Sequence, residues 1–254
     1  MLSSACRLAP RGSSAALMAA EKAFSAPNYA PTPVVFKSAK GVTITDPEGK
    51  KYLDLLAGYG AVNQGHGHPR LIHAVTKQLQ LCTLSSRAFY NDKFPAYAEY
   101  VTKLFGYEKV LPMNTGAEGV ETALKLARRW GYQVKGIKTD KAIIVCCSEN
   151  FHGRTFGAIS MSSDPSSYEN FGPVLPGIMK VEYGDAKALQ QLFDTHGKNI
   201  AGFICEPVQG EAGVIIPPKG YLKAVRALCT KHNIMYIDDE VQAGVGRTGK
   251  MLAV

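Results

Sequence analysis

From about residue 108 onward, short apolar runs alternate with longer segments of helical periodicity. Apolar residues recur three and four positions apart in residues 116–132 and 220–232, which predicts two amphipathic helices, and 185–193 is a third helical segment. Apolar strands that alternate with such helices form a mostly parallel sheet covered on both faces. The sequence therefore predicts an α/β fold, with strand-like runs at residues 109–112, 142–147, 178–181, 201–205 and 234–237.

The first hundred residues follow a different pattern. Short strands are predicted at residues 34–36, 41–45 and 52–56, with the turn residues 46–49 between the last two. Helices are predicted at residues 69–81, which begin with Pro69, and at 93–105.

Composition narrows the class of protein. There are 29 lysine and arginine residues against 21 acidic ones, a net charge of +8, but they are scattered, which favours small anionic ligands over nucleic acid. No apolar run reaches the ~18 residues of a membrane-spanning helix. The six cysteines form no C-x-x-C pair and no zinc-binding spacing, which predicts free, mostly buried thiols and no metal site. In a strand, Cys146 and Cys147 would point to opposite faces.

The first 17 residues stand apart from the rest. They contain Arg7 and Arg11, several serines and alanines and no acidic residue, a composition typical of a mitochondrial presequence. Import into the mitochondrial matrix is therefore expected, and residues 1–26 form an N-terminal arm. The alternative is an unstructured N-terminus on a cytoplasmic protein, with Met18 as a possible second start.

Ligands of parallel α/β sheets bind at the carboxyl ends of the strands, so chemistry is expected in four loops. In the first, Gly116 and Ala117 open a helix whose free N–H groups suit a phosphate, although Thr115 and Glu118 also have the spacing of an ordinary capping box. In the second, Phe151 could stack on a flat ring and Arg154 could hold a carboxylate. His152 between them receives no proton-transfer role.

The third and fourth loops carry acids. Glu206 and Glu211 follow one strand, where a metal site or a glycosidase pair is the rival interpretation. The run Asp238–Glu240 follows another strand, with Gln242 close by. A carboxylate there could keep a pyridine nitrogen protonated, or the run could be the acidic N-terminus of a helix.

Together these sites resemble the class III aminotransferases, enzymes of the pyridoxal-phosphate (PLP) fold type I. The resemblance covers about residues 29–254 and rests on the runs YGAVNQGH (59–66), SRAFYN (86–91), PMNTG (112–116), KLAR (125–128), EPVQGEAGV (206–214) and DEVQAG (239–244). The VNQG and SRAFYN runs are most similar to the ornithine-specific members. The resemblance implies a short-stranded segment at 27–75 and a partial PLP-binding large domain at 76–254.

The resemblance also implies roles for individual residues. Thr115, Gly116 and Ala117 would bind the cofactor phosphate, the latter two through backbone N–H groups. Phe151 would stack on the pyridine ring, with His152 beside it. Asp239 would pair with the ring nitrogen and Gln242 would approach the phenolic oxygen. The substrate would be contacted by Tyr29, Tyr59 and Arg154, with Arg154 taking a carboxylate. Glu211, the fourth residue of the substrate site, would hold a C-terminal arginine until a keto acid arrives.

The implied reaction transfers the δ-amino group of ornithine to 2-oxoglutarate, with PLP as cofactor, in a homodimer or larger assembly. Ala117 stands where animal ornithine enzymes usually have valine, which matters little for a backbone contact. His152 stands where they usually have tryptophan, so acetylornithine, 4-aminobutyrate or lysine are alternative amino donors. The family's Schiff-base lysine is expected beyond Val254, because Lys250 lies in the loop after the DEVQAG run. The chain is therefore expected to be a fragment, or alternatively a short non-catalytic form that associates with full-length subunits and is unstable alone.

Overall fold

The computed structural model of the protein describes residues 12–254. The chain divides into two compact units, Met1–Asn91 and Asp92–Val254. The domain limits inferred from the sequence, at residues 26 and 75, stay predictions. The possible presequence falls largely on residues 1–11, which lie outside the described part of the chain.

The first unit contains a small antiparallel sheet between two helices in the chain. Its elements are α1 (Ser14–Phe24), β1 (Ser38–Lys40), β2 (Thr43–Thr45), β3 (Lys51–Leu53) and α2 (Pro69–Leu81), with strand order β1-β2-β3. Asp46 stabilises the turn between β2 and β3, because its Oδ1 accepts the N–H of Lys50 at 2.8 Å and its Oδ2 accepts the hydroxyl of Tyr52 at 3.0 Å. The strands predicted at residues 41–45 and 52–56 are confirmed with shifted limits, and the helix predicted at 69–81 is confirmed with the same limits.

One predicted strand of this unit, residues 34–36, is wrong. The N–H of Val34 donates to the carbonyl of Thr32 at 2.7 Å, which closes a local turn. Pairing with β2 begins only at Lys37, whose N–H donates to the carbonyl of Thr45 at 3.0 Å. Apolar, β-branched residues do not form a strand where the backbone bonds to its own near neighbours. Helix α1, which Ser13 caps, was not predicted.

The second unit is a parallel sheet with helices on both faces. Its four strands are β4 (Ile143–Cys147), β5 (Ile178–Val181), β6 (Ile200–Cys205) and β7 (Met235–Asp238), in the order β5-β4-β6-β7. Its helices are α3 (Phe94–Phe105), α4 (Gly116–Gln133), α5 (Phe156–Met161), α6 (Pro165–Tyr168), α7 (Ala186–His196) and α8 (Tyr221–Lys231). The predicted α/β class and parallel sheet are confirmed.

Residues 109–112 form no strand, which corrects a further prediction. A strand needs a neighbouring strand to accept its N–H groups and donate to its carbonyls, and no described strand pairs with this segment. Pro112 in addition has no N–H to donate.

The core lies on both faces of the parallel sheet. Val145 and Cys147 pack on the side of α7 and α8, whereas Ile144 and Cys146 pack on the side of α4. The prediction that the two adjacent cysteines point to opposite faces is thus confirmed. All described cysteines are free, and each is buried except Cys82. Within residues 12–254 no helix is both long and apolar enough to cross a membrane.

One lysine side chain bonds to backbone carbonyls near the starts of β6 and β7. The Nζ of Lys135 donates to the carbonyls of Gly197 (2.8 Å), Ile200 (2.8 Å) and His232 (3.1 Å). Two of these carbonyls belong to the residues that end α7 and α8. Burial lowers the pKa of Lys135 to about 8, so most of the amine is still protonated at pH 7. A cation therefore sits at the carboxyl ends of two helices, where backbone carbonyls carry partial negative charge.

Candidate active site

The four loops expected to carry chemistry come together at the carboxyl ends of β4, β6 and β7. A Cβ added to Gly153 would lie 2.7 Å from the Cβ of Ala117, so the loop after β4 packs directly on the first turn of α4. A Cβ added to Gly116 would lie 2.7 Å from Cγ1 of Val241, so the loop after β7 packs on the same turn. Glycine at both positions permits these close approaches.

The start of α4 is a capping box that leaves donors free. Oγ1 of Thr115 accepts the N–H of Glu118 at 3.1 Å, and Oε2 of Glu118 accepts the N–H groups of Asn114 at 2.7 Å and Thr115 at 3.0 Å. The cap interpretation is thus confirmed. Within the described chain the N–H groups of Gly116 and Ala117 have no protein acceptor, as expected for the first helical residues. Capping and anion binding are therefore compatible here.

The most buried polar contact of the site joins the loops after β4 and β7. Nδ1 of His152 lies 2.6 Å from Oδ2 of Asp239, and the two side chains are 0% and 5% exposed. An ionised carboxylate can only accept, so Nδ1 carries the hydrogen and donates it. Oδ1 of Asp239 accepts the N–H of Val241 at 3.1 Å. The carboxylate is therefore held in one orientation by two donors, one at each oxygen.

The three successive acids at the end of β7 have different partners in the structure. Asp239 faces His152, whereas Asp238 accepts the hydroxyl of Tyr236 at 3.3 Å. Burial, reinforced by the charge of Glu240, raises the pKa of Asp238 to about 7. Oε1 of Glu240 accepts the N–H of Ala253 at 2.5 Å. Turns rather than a helix follow β7, so the alternative of an acidic helix N-terminus is wrong.

The two glutamates after β6 also have separate tasks. Glu206 is buried, and its carboxylate accepts the N–H groups of Phe151 at 3.0 Å and Gly210 at 3.1 Å. Burial raises the pKa of Glu206. Glu211 is exposed and accepts a hydrogen bond from Nε2 of Gln242 at 2.9 Å. The described residues contain no group of three or more side chains suited to a metal ion.

Phe151 and Arg154 leave the same loop in an exposed setting. The ring of Phe151 is 40% exposed, although Glu206 holds its backbone. Arg154 is exposed, and its charge contributes to lowering the pKa of Asp164, which is lowered mainly by hydrogen bonds from Ser166. Both residues thus belong to the loop that packs on the first turn of α4.

Two predicted substrate contacts, Tyr29 and Tyr59, lie in the first unit. Their hydroxyl oxygens are 2.5 Å apart, although the residues are thirty positions apart in the chain. Both side chains are largely exposed. The first unit thus brings these two tyrosines together.

The sequence did not indicate the roles of two residues that hold the loops of the candidate site in place. It marks Glu206 only as one of two acids, but its carboxylate anchors the backbone of Phe151. It indicates no role for Gln209, but Nε2 of that residue donates to the carbonyl of Ser148 at 2.7 Å and ties the loop after β6 to the end of β4. A useful signal would have been a polar residue directly after a fully apolar strand, because such a residue is buried and needs a partner.

The model of the aminotransferase class-III family matches residues 24–254. The chain belongs to this family. Class-III aminotransferases depend on PLP and act on small-molecule amino donors and 2-oxo acids. The parallel sheet of the second unit is therefore part of the α/β fold of the PLP-dependent aminotransferases, and this chain contains about half of that fold.

Among the relatives is the mitochondrial ornithine aminotransferase of Arabidopsis thaliana, 62% identical over 244 residues, which are 96% of this chain and 51% of that protein. An ornithine aminotransferase structure from Toxoplasma gondii, described with partial occupancy of PLP, superposes with a TM-score of 0.92 at 43% identity, covering 95% of this chain and 56% of that one. The structure of an acetylornithine aminotransferase from Elizabethkingia anophelis superposes with a TM-score of 0.84 at 48% identity. The match covers 95% of this chain and 58% of that one. The class-III chain thus spans about half the length of the curated relatives it matches.

Proposed function

We propose that the full-length protein is a PLP-dependent aminotransferase that transfers the δ-amino group of ornithine to 2-oxoglutarate. The observation that carries the proposal is the buried Asp239 carboxylate, fixed by His152 next to the first turn of α4. A fixed anion and a pair of free N–H groups at one sheet edge suit a ligand that carries a protonated ring nitrogen and a phosphate.

The residues present fit PLP. Gly116 and Ala117 offer two N–H groups without a protein acceptor, and Thr115 adds a hydroxyl in the same turn. Oδ1 and Oδ2 of Asp239 each accept one hydrogen bond from the protein, so the carboxylate retains lone pairs for another donor. Phe151 presents a ring at the same edge, and Gln242 presents an amide. These residues and His152 are proposed to hold the cofactor.

When bound, PLP supplies an aromatic ring that withdraws electrons from the reacting substrate carbon. Asp239 would hold a proton at the ring nitrogen, and His152 would keep the carboxylate in place for that task. Glu206 would keep Phe151 in position through its backbone N–H. Gln242 donates a hydrogen bond to Glu211, so a substitution at either residue would change the position of the other side chain.

Four residues are proposed to contact the substrate. Arg154 would take a carboxylate bidentately, as the planar guanidinium allows. Tyr29 and Tyr59, whose hydroxyls bond to each other, would contact the amino acid. Glu211 would contribute a carboxylate from the loop after β6.

The second candidate substrate is acetylornithine, because a structure named for that activity is 48% identical to this chain. We would assay the purified full-length protein with 2-oxoglutarate and a panel of ornithine, acetylornithine, 4-aminobutyrate and lysine, and measure glutamate formation. Ornithine is expected to have the highest kcat/KM by at least about tenfold, the ratio that about 1.4 kcal/mol of differential binding produces. A higher kcat/KM for acetylornithine would reject ornithine as the substrate.

Assembly and location are proposed on the same basis. A homodimer or larger assembly is inferred from the family, and sedimentation of the full-length protein tests it. A mitochondrial location is supported by the names of the relatives in Arabidopsis, rice, Drosophila and rat. Fusing residues 1–26 to a fluorescent protein would test it, with an Arg7→Ala/Arg11→Ala variant as the control.

A further inference from the structure

The turn that carries Tyr59 has an unusual backbone. Four successive residues adopt left-handed conformations: Ala57 (φ 50°), Gly58 (58°), Tyr59 (55°) and Gly60 (87°). Glycine adopts such values freely, but alanine and tyrosine do so at a cost. A run of this kind persists only where the surrounding structure imposes it, and such runs occur at ligand-binding positions. The turn is closed in part by its own backbone, because the N–H of Tyr59 donates to the carbonyl of Leu56 at 3.0 Å and the N–H of Val62 donates to that of Ala57 at 2.9 Å.

Asp54 supplies the nearest constraint. Its Oδ1 accepts the N–H of Leu56 at 3.0 Å and the N–H of Ala57 at 2.9 Å, which binds the first left-handed residue directly. Its own N–H donates to the carbonyl of Val42 at 2.8 Å, so Asp54 is fixed to the antiparallel sheet. The hydrogen bonds from Ala57 and His66 lower the pKa of Asp54, which keeps the side chain an acceptor at neutral pH.

His66 closes the loop from its other end. Its Nε2 lies 2.7 Å from Oδ2 of Asp54, and the two side chains are 23% and 8% exposed. Its backbone exchanges two hydrogen bonds of 2.9 Å with Gly41, and its ring packs edge-on against Phe36. The first and last residues of loop 54–66 are thus anchored to the sheet and bonded to each other.

We propose that Asp54 and His66 are positioning residues that hold Tyr59 in place for the amino donor. The proposal rests on the proposed function, because it assigns Tyr59 to substrate binding. The Asp54–His66 hydrogen bond fixes the two ends of the loop, and Oδ1 of Asp54 holds the first left-handed residue of the turn, Ala57. The turn then places the hydroxyl of Tyr59 against that of Tyr29. Neither Asp54 nor His66 needs to touch the substrate for this role.

Matched variants of the full-length protein test the roles of Asp54 and His66 separately. Asp54→Ala removes all three hydrogen bonds of the Asp54 side chain. If the alanine variant does not fold, Asp54→Asn is used instead, because asparagine keeps an acceptor in the place of Oδ1. His66→Leu removes the donor, whereas His66→Gln retains an amide N–H in about the place of Nε2. Asp46→Ala is the control, because Asp46 holds a different turn of the same sheet.

The first measurement is amide hydrogen exchange of a peptide covering residues 54–66, which needs no substrate. Asp54→Ala and His66→Leu are expected to raise its exchange rate by about tenfold, the effect of losing one hydrogen bond to a charged group. His66→Gln should restore protection, and Asp46→Ala should leave this peptide unchanged. Exchange that stays at the wild-type rate in both Asp54→Ala and His66→Leu would overturn the proposal, whatever substrate the protein uses.

The second measurement is a double-mutant cycle in kinetics. Asp54→Ala is expected to raise the KM for ornithine by about tenfold with kcat within about twofold, and to have little further effect when Tyr59→Phe is already present. Effects of Asp54→Ala and Tyr59→Phe that simply multiply would overturn the positioning role. Wild-type protein without activity on ornithine would instead refute the proposed function, while the exchange result would still decide the role of Asp54 and His66.

Discussion

Replacing His152 by leucine is expected to lower the free energy of unfolding by about 3 kcal/mol, the lower end of the cost of leaving a buried charge without its partner. The contact spans 2.6 Å between side chains that are 0% and 5% exposed, so water cannot take the place of the imidazole at Oδ2 of Asp239. The lower end applies because Oδ1 keeps the N–H of Val241. Leucine has about the size of histidine, so the loss reports the hydrogen bond rather than a void.

A conservative variant separates the hydrogen bond from packing. The side-chain amide of asparagine can place an N–H in about the position of Nδ1, so His152→Asn should cost only about 1 kcal/mol. His196→Leu is the control, because His196 is exposed in the last turn of α7 and should change stability by less than about 0.5 kcal/mol.

The assay is urea denaturation of the full-length protein without added cofactor, followed by titration with PLP. His152→Leu is expected to weaken PLP binding by about tenfold, because Asp239 loses one of the two donors that fix it. An unfolding free energy of His152→Leu within about 0.5 kcal/mol of wild type would refute the reasoning. It would mean that the imidazole and the carboxylate do not depend on each other.

Three further predictions concern other positions. Lys135→Met should destabilise the protein by about 2–3 kcal/mol in urea denaturation, because three carbonyls lose their donor, whereas Lys138→Met, at an exposed position, should have almost no effect. Burial raises the pKa of Asp238 to about 7, so the folded state retains a proton that the unfolded state loses between about pH 4 and 7, and stability falls over that range. Asp238→Asn should remove this slope and stabilise the protein by about 1–2 kcal/mol at pH 8 but not at pH 4, and equal slopes would contradict the assignment. Gly153→Ala should weaken PLP binding, measured by absorbance, because the added Cβ would lie 2.7 Å from the Cβ of Ala117. Gly136→Ala is the control, because Gly136 also has a positive φ but lies in open space; it should cost about 1 kcal/mol of stability and leave PLP binding unchanged.

The secondary structure of the second unit was predictable to a large extent. The strand expected at residues 178–181 has those limits in the structure, and α4 ends one residue beyond the expected 116–132. Periodicity works here because it reports which side of each element faces the core, and every predicted element with a partner was found. The failures at residues 34–36 and 109–112 share one cause, since a strand depends on a partner that its own residues do not specify.

The candidate site was predictable in its location but not in its contacts. The rule that ligands bind at the carboxyl ends of parallel strands pointed to the loops of Gly116, Phe151, Glu206 and Asp239, and the structure brings these loops together. The partner of Asp239, however, lies 87 positions earlier in the chain, and nothing around His152 in the sequence indicates that distance.

The amino-acid sequence by itself determined the α/β class, the order of the elements and the sheet edge at which chemistry is possible, because these follow from local periodicity and from the handedness of parallel strands. Only the tertiary structure decided which residue holds Asp239, which glutamate holds Phe151, and how Asp54 and His66 close the loop of Tyr59. Hydrogen bonds between distant residues depend on the path of the whole backbone. A local pattern can mark a polar side chain as important, but the fold selects its partner.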